Sequence, residues 1–372
     1  MWQTLIDNPE VLYAAIIAFL IVVLLTPAVG GMARRLGVVD QPDGRRLNIL
    51  PIPRLGGLAL FLGIFVPSLA FLHLGPEMRG LLIGAAVATI VGAVDDVRGL
   101  AWWQKLGGQF IAAAIPVSFG VWISHFTFPF LGVNNLPGWI GAPLSILWIV
   151  AIMNMVNFLD GMDGLAAGVC GISGFTFALI ALSVGKIDPA ILSAAVFGAT
   201  FGFLRHNFYP ARIFMGDSGA LLLGFVLATV SIQGLLKTAS TVTLFLPLLV
   251  LAVPILDTSF VVARRLKHGL PVYAADRGHL HHRFVNIGFS QRRAALTIYA
   301  WALTLALAAI ATRFVPFRAH GSWHPWWTAL VVAIGLVALG TSIYIVYLLE
   351  IVKLANPRVR RRRLEEELRR SA

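Results

Sequence analysis

Residues 11–33 read VLYAAIIAFLIVVLLTPAVGGMA, a run without a single charged side chain. A helix that crosses a bilayer needs about 20 mostly apolar residues. The preceding segment carries Asp7 and Glu10 and no basic residue, and no A-x-A-like cleavage site follows the run, so it does not match a secretory signal. We therefore expect residues 11–33 to be a retained first membrane span.

The composition of the whole chain supports this expectation. Of its 372 residues, 58% are hydrophobic and 12% are charged, whereas soluble domains are about 45–50% apolar and about 25% charged. These values exclude an ordinary soluble domain. A net charge of +12 would suggest a nucleic-acid ligand in a soluble protein, but here we expect no nucleic-acid partner. The single cysteine, Cys170, cannot form an intrachain disulfide and is expected to be a packing thiol.

Apolar runs of similar length recur along the chain and predict an all-α, polytopic transmembrane bundle of about eleven spans. Such runs fit helices better than the alternating strands of a membrane barrel. We expect one transmembrane catalytic domain over residues 1–349 and a basic tail over 350–372 that contacts anionic lipid headgroups. The predicted spans are 11–33, 55–74, 79–94, 107–124, 140–157, 164–184, 189–204, 219–235, 241–262, 294–312 and 325–349.

The distribution of Lys and Arg predicts the orientation, because cytoplasmic loops are enriched in both. With the N-terminus outside and the C-terminus inside, the inner segments hold 24 of the 29 basic residues. This topology uses no motif, yet it places every acidic and histidine cluster described below on the cytoplasmic face. The inner segments are 34–54, 95–106, 158–163, 205–218, 263–293 and 350–372.

Two acidic clusters lie at predicted span ends. Asp95 and Asp96 are adjacent carboxylates, which are costly at a membrane boundary unless hydrated, paired or bound to a cation. They are candidates for a general base or Mg²⁺ ligands, although a solvated loop with a pair to Arg98 is an alternative. The second cluster, NMVNFLDGMDGL, spaces four oxygen-bearing side chains by three residues, and its glycines allow them to converge; a polar helix end with a glycine turn is the alternative. Its members are Asn154, Asn157, Asp160 and Asp163.

A third cluster, RIFMGDSGA, places Asp217 at a helix start, where backbone N–H groups attract anions. Helix capping by Asp217 or Ser218 is the alternative. Asp257 lies inside the ninth predicted span, where a buried pair with an arginine explains it as well as a catalytic role does. In the loop at 40–57, Arg54 is a candidate anion contact, although orientation signals also explain the arginines of this loop.

The last cluster, DRGHLHHR, covers residues 276–283 and provides Arg277, His279, His281 and His282. Histidines flanked by arginines suit a multiply charged phosphate. Solvated surface histidines are the alternative, and a zinc site is weaker because no cysteine lies nearby.

In order, Asp95-Asp96, NMVNFLDGMDGL, FMGDSGALLLG and DRGHLHHR resemble the polyprenyl-phosphate N-acetylhexosamine-1-phosphate transferases, over about residues 1–312 and including the segment PIPRLGG. This resemblance implies a bacterial inner-membrane enzyme with a cytoplasmic active site. It would transfer a sugar-1-phosphate from a UDP-sugar to undecaprenyl phosphate and release UMP. The pattern DRGHLHHR favours UDP-N-acetylglucosamine as the donor and suggests the start of an envelope polysaccharide such as O-antigen.

The resemblance also implies roles for individual residues. Asp217 and Asn157 would bind Mg²⁺, or Mn²⁺ in its place, with Asp160 close by. Asp95 would act as the base on the acceptor phosphate, supported by Asp96. The implied substrate contacts are Asp163 to uracil, Lys105 to the lipid phosphate, and Arg277, His279, His281 and His282 to the diphosphate. The sequence departs from the family at Ala220, usually Ser, and Asn48, often His.

Three alternatives remain open at this point. The donor could be another UDP-N-acetylated amino sugar, and the reaction could proceed directly or through a covalent carboxylate intermediate. A membrane transporter is the rival of another class, but it predicts polar residues near the middle of several spans. A homodimer is compatible with the sequence.

Overall fold

The computed structural model describes residues 2–41, 51–128, 132–236, 245–267, 269, 279–316, 318–319 and 322–349. Helices form nearly all of this part of the chain. The helices are α1 (Trp2–Asp7), α2 (Glu10–Arg35), α3 (Gly56–Phe71), α4 (Pro76–Arg98), α5 (Trp102–Ser118), α6 (Gly138–Leu159), α7 (Leu165–Ser183), α8 (Ile187–Asn207), α9 (Gly216–Ser231), α10 (Phe245–Val250), α11 (Ala252–Lys267), α12 (Leu280–Asn286), α13 (Gln291–Phe314) and α14 (Pro325–Leu348).

Within the described ranges, the strands form three short antiparallel hairpins, and a π-helical turn, Ile232–Leu236, continues α9. The hairpins pair β1 (Val39–Asp40) with β2 (Ile52–Pro53), β3 (His125–Phe128) with β4 (Gly132–Asn135), and β5 (Arg318–Ala319) with β6 (Ser322–Trp323). The all-α class predicted from the sequence is confirmed.

Among the described residues, eight helices are long and apolar enough to cross a membrane: α2, α4, α6, α7, α8, α9 with its π turn, α13 and α14. The other three predicted spans coincide with shorter helices. Helices α3 and α5 have 16 and 17 residues, and the run at 241–262 is divided between α10 and α11. The structure thus confirms a helical protein with many apolar spans, while the count of eleven and the orientation stay predictions.

Helix α9 lies at the centre of the bundle. Its apolar window is 94% buried, compared with 11% for α14, which lies at the periphery. Helices α3, α4 and α6 pack directly against α9, and α2 and α7 pack against α8. Because α9 begins with the Gly216-Asp217 motif, the packing of this central helix fixes the position of Asp217.

Glycines allow the helices to approach the start of α9. A Cβ atom added to Gly57 of α3 would meet the backbone of Ser218 and Gly219, and one added to Gly92 of α4 would meet the backbone of Asp217 and Ser218. Neither approach is open to a residue with a side chain. The sequence therefore brings three helix backbones together at one motif.

The segment PIPRLGG also attaches to this motif through its backbone. Phe214 N donates to Pro53 O at 2.9 Å, and Gly57 N donates to Met215 O at 2.8 Å. Between them Leu55 is buried and has a left-handed backbone with φ of 80°, a conformation that costs a non-glycine residue roughly 1–2 kcal/mol. The surrounding contacts must hold this residue in place, so the 51–57 segment is a rigid neighbour of α9.

We expect Gly57→Ala to destabilise the protein by about 1–3 kcal/mol, the usual cost of overpacking. The obstacle is backbone, which cannot turn aside as a flexible side chain can. The measurement is thermal unfolding in detergent. Gly335→Ala is the matched control, because a Cβ at Gly335 meets nothing within 4 Å. Equal melting temperatures for the two variants would contradict the close packing at Gly57.

Candidate active site

The site is built around the buried carboxylate of Asp96, near the end of α4. Its Oδ1 accepts a hydrogen bond from Asp217 N at 2.9 Å, and its Oδ2 accepts bonds from Ser218 N at 3.0 Å and Ser218 Oγ at 2.9 Å. The side chain of Asp96 thus caps the N-terminus of α9, where unpaired N–H groups and the helix dipole favour an anion. The anion expected at this helix start is therefore supplied by the protein itself.

Gly216 makes this cap possible. Its φ is +68°, and a Cβ atom there would collide with both carboxylate oxygens of Asp96. Neither Asp217 nor Ser218 occupies the N-cap position of α9. That position belongs to Met215, which makes no side-chain capping bond. Instead, Asp96 provides the cap from a different helix.

The ammonium of Lys105, in the first turn of α5, joins the acidic motifs. Its Nζ lies 2.7 Å from Asp217 Oδ2, 2.9 Å from Asp95 Oδ2 and 3.2 Å from Asn157 Oδ1. An ammonium group has three donors, so this set uses all of them. Three oxygens from α4, α6 and α9 therefore converge on one positive charge.

Two further bonds fix this arrangement. Asn157 Nδ2 donates to Asp217 Oδ1 at 2.5 Å, and Leu100 N donates to Asp95 Oδ1 at 2.6 Å. The ion-pair partner of Asp95 is Lys105, while the side chain of Arg98 is exposed. The alternative in which Arg98 neutralises the acidic pair is wrong.

The four members of NMVNFLDGMDGL do not converge on one point. Asn157 joins the group around Lys105, whereas Asn154, one turn deeper in α6, forms a reciprocal amide pair with buried Gln109 at 2.7 and 3.2 Å. Asp163 Oδ2 accepts a bond from Ala211 N at 2.8 Å. Because α6 ends at Leu159, the glycine turn directs Asp160 and Asp163 along different paths.

Asp160 nevertheless shares the electrostatic environment of the site. Burial and then the negative charges of Asp217 and Asp96 raise its pKa well above the usual value for aspartate. Burial also raises the pKa of Asp163, although the N–H of Ala211 partly opposes this shift. The charges of Asp217 and Asp96 are thus near enough to Asp160 to oppose its ionisation.

Arg54 is the second positive charge at this site. Its guanidinium lies 3.4 Å from Asp96 Oδ1 and 3.7 Å from Asp40 Oδ1, and its side chain is 30% exposed. Among the described residues around the start of α9, four carboxylates therefore face two basic side chains, those of Lys105 and Arg54. The four are Asp95, Asp96, Asp160 and Asp217.

His279 lies beside the end of α6. Its Nδ1 is 2.9 Å from Asp257 Oδ2, Leu280 N donates to Asp257 Oδ1 at 2.8 Å, and its ring centroid is 5.6 Å from that of Phe158. Phe158 directly follows Asn157 in the sequence and precedes Asp160 by two residues. The histidine segment therefore lies close to the acidic motif. Asp257 is thus paired with His279. From the sequence alone, a pair with an arginine and a catalytic role were equally good explanations of this residue.

Some predicted site residues lie outside the described part of the chain. Arg277 falls in an undescribed segment, and for His281 and His282 only the backbone, in α12, is described. Residues 42–50 of the loop at 40–57 and the whole tail at 350–372 also lie outside the described part of the chain. Their proposed roles stay predictions.

Sequence reasoning missed three scaffold residues. Gln109 pairs with Asn154, while Asn207 accepts from Gly164 N at 3.1 Å and donates to Ile213 O at 2.9 Å, which connects the two motif loops. Tyr299 donates to Gly164 O at 2.6 Å. Each is a polar side chain on a largely apolar helix, and this was the available signal.

Comparison with known proteins gives consistent matches. A family model described as Glycosyl transferase family 4 matches residues 78–235. The chain is 35% identical over 302 residues to the probable undecaprenyl-phosphate N-acetylglucosaminyl 1-phosphate transferase of Bacillus subtilis (strain 168), covering 81% of this chain and 84% of that protein.

Two other relatives extend this result. Identity is 35% over 366 residues to the decaprenyl-phosphate N-acetylglucosaminephosphotransferase of Mycobacterium tuberculosis (strain ATCC 25618 / H37Rv), covering 90% of this chain and 88% of that one. It is 32% over 318 residues to the phospho-N-acetylmuramoyl-pentapeptide-transferase of Moorella thermoacetica, covering 81% and 98%. Likeness of this extent, with the motifs assembled around α9, shows that the chain belongs to the polyprenyl-phosphate N-acetylhexosamine-1-phosphate transferase family and is a phosphoglycosyltransferase.

Proposed function

We propose that this enzyme transfers N-acetylglucosamine-1-phosphate from UDP-N-acetylglucosamine to undecaprenyl phosphate and releases UMP. The observation that carries the proposal is the convergence of Asp95, Asn157 and Asp217 on Lys105 at the start of the central helix. The names of the Bacillus and Mycobacterium relatives support this acceptor class and this sugar. The product is the lipid-linked diphosphate sugar that begins an envelope polysaccharide.

The oxygen set at this site fits a magnesium ion. Mg²⁺ is commonly bound by one or two carboxylates together with substrate phosphates, and seldom by an all-protein cage. Asp217 and Asn157 would hold the ion, with Asp95 beside them, and the excess of carboxylates over basic side chains among the described residues suits a divalent charge. No group of three or more His, Cys, Asp or Glu side chains suited to a metal occurs within the described ranges. Bound there, the ion would neutralise and orient the diphosphate.

The protein residues divide the chemistry between them. An oxygen of the acceptor phosphate forms a bond to the β-phosphorus of the donor, while the bond from that phosphorus to the UMP oxygen breaks. Asp95 orients or deprotonates the acceptor phosphate, and Lys105 provides positive charge at the reacting phosphates. Asp96 is occupied by the N-terminus of α9 and supports the arrangement. His279 stabilises the diphosphate as charge develops on the leaving UMP.

A second donor class has its own support. The Moorella relative carries a name for phospho-N-acetylmuramoyl-pentapeptide transfer at 32% identity, only slightly below the Bacillus protein. The residues around Lys105 would bind the diphosphate and its metal ion, and both donors contain this diphosphate. Discrimination between the donors must therefore come from contacts to the sugar, and a donor panel separates the two proposals.

The first prediction is that purified protein with Mg²⁺, undecaprenyl phosphate and UDP-N-acetylglucosamine releases UMP. The panel replaces the donor with UDP-N-acetylgalactosamine or UDP-N-acetylmuramoyl-pentapeptide under the same conditions. The measurement is UMP formed per enzyme, with omission of the lipid as control. Release from another donor alone would shift the assignment to that sugar, and no release from any of them would refute the proposed function.

The second prediction concerns Asp217. Replacement Asp217→Asn keeps the shape of the side chain but removes the charge that faces Lys105 and the proposed ion. We expect kcat to fall at least about 100-fold, because metal ions contribute several kcal/mol of charge stabilisation and each 1.4 kcal/mol is tenfold in rate. Asp188→Asn, which alters a pair with exposed His73, is the control and should retain activity. A fully active Asp217→Asn enzyme would remove Asp217 from the site.

The third prediction tests the cytoplasmic location of the site. Cys170 is the single cysteine of the chain, so a Cys170→Ala background has no thiol to label. Single cysteines can be introduced there at exposed Arg98 and exposed Lys186. With the N-terminus outside, a membrane-impermeant maleimide should label position 186 in intact cells and position 98 only after permeabilisation. The reverse pattern would invert the proposed topology.

A further inference from the structure

Asp257 is a buried carboxylate that the proposed reaction does not use. It lies on α11, within the predicted span 241–262, and only 1% of the residue is exposed. A carboxylate in such a place is costly unless it is paired. Its location therefore requires an explanation from its contacts.

Both oxygens of Asp257 are directed to the same short segment. Oδ2 lies 2.9 Å from His279 Nδ1, and Oδ1 accepts the N–H of Leu280 at 2.8 Å. The carboxylate thus holds the imidazole and the first residue of α12 together. Two such bonds fix the orientation of the ring as well as its position.

An ionised carboxylate can only accept hydrogen bonds, so the proton of this contact must be on Nδ1. The partner bonded to one ring nitrogen determines which tautomer a histidine adopts and which edge it presents elsewhere. In His279 the Nδ1 edge faces α11, and the Nε2 edge lies on the other side of the ring. The ring packs near Phe158, which adjoins Asn157 in the acidic motif.

From this geometry we propose that Asp257 is a positioning residue that fixes the tautomer and direction of His279 so that Nε2 addresses the diphosphate of the donor. The inference rests on the proposed function, since it requires a phosphate substrate beside the acidic motif. Asp257 itself does not touch substrate. It acts through His279 alone.

The test compares Asp257→Asn, His279→Gln and the double variant with the unmodified enzyme in the UMP assay. Asparagine keeps the size of the side chain, but its amide can donate to Nδ1 and so favours the opposite tautomer. We expect kcat of Asp257→Asn to fall about 10- to 100-fold, the usual effect of losing such a partner, with KM for undecaprenyl phosphate unchanged. Residues that act through one another are not additive, so the double variant should be no slower than His279→Gln alone.

The chain provides a matched control. Asp188 also contacts a histidine, since its Oδ1 lies 3.1 Å from His73 Nδ1 and 3.2 Å from His73 N, but this pair is exposed and far from the acidic motif in the fold. Asp188→Asn should leave kcat unchanged. Thermal unfolding in detergent of all variants shows whether each one is folded.

A second variant keeps the test decisive if Asp257→Asn does not fold. His279→Asn places an amide near the position of Nδ1, where it can still donate to Asp257, but it removes Nε2. We expect this variant to melt near the unmodified protein and to lose turnover. Retained kcat in His279→Asn would show that the pair is only structural.

The outcomes distinguish the two proposals. If the unmodified enzyme releases no UMP with any donor, the proposed function fails. If it releases UMP but Asp257→Asn retains kcat, or if the losses of Asp257→Asn and His279→Gln add in the double variant, only the positioning role is overturned.

Discussion

The structure depends on one interaction, the hydrogen bonds from the start of α9 to the carboxylate of Asp96. A central helix that is almost fully buried cannot leave its first N–H groups without partners, because each would cost roughly 1–3 kcal/mol. Asp96 satisfies two of them from α4, and the glycines of α3 and α4 permit the close approach that this requires. The same bonds place Asp217 where it meets Lys105 and Asn157. The packing of α9 and the geometry of the active site therefore depend on the same hydrogen bonds.

The position of Lys105 follows from the charges around it. Asp95 and Asp217 lie on different helices and repel one another, so a cation between them is needed before any substrate arrives. Lys105 supplies that cation from the first turn of α5 at 2.7 and 2.9 Å. A reaction between two phosphates adds negative charge to the same place, which increases the need for positive charge. The arrangement suits a site that gains a divalent ion together with its substrate.

The sequence predicted the helical membrane class and the grouping of the acidic motifs because both follow from composition and local pattern. Hydropathy places ten of the eleven predicted spans each on one helix, whereas the run at 241–262 is divided between α10 and α11, and the motifs lie at helix ends. The bond between Asp96 and the start of α9 could not be predicted, because it joins residues 121 positions apart and leaves no periodic signal. The spacing by three residues suggested that Asn154 and Asn157 act together, but Asn154 is paired with Gln109. This contact is also distant in sequence and has no local signal. Local sequence pattern identifies the candidate site residues, whereas tertiary packing determines their hydrogen-bond partners.

The aspartates of this protein differ in what they bind, although a sequence shows them as one residue type. Asp96, Asp163 and Asp257 each accept a backbone N–H from a distant segment, and so connect α4 to α9, the α6–α7 turn to the loop before α9, and α11 to α12. The bonds to Asp217 instead come from the side chains of Lys105 and Asn157. A carboxylate bound to backbone is fixed by the fold, whereas one bound to side chains can exchange those partners for a metal or a phosphate. Asp96, Asp163 and Asp257 thus stabilise the geometry in which Asp217 can bind its ligands.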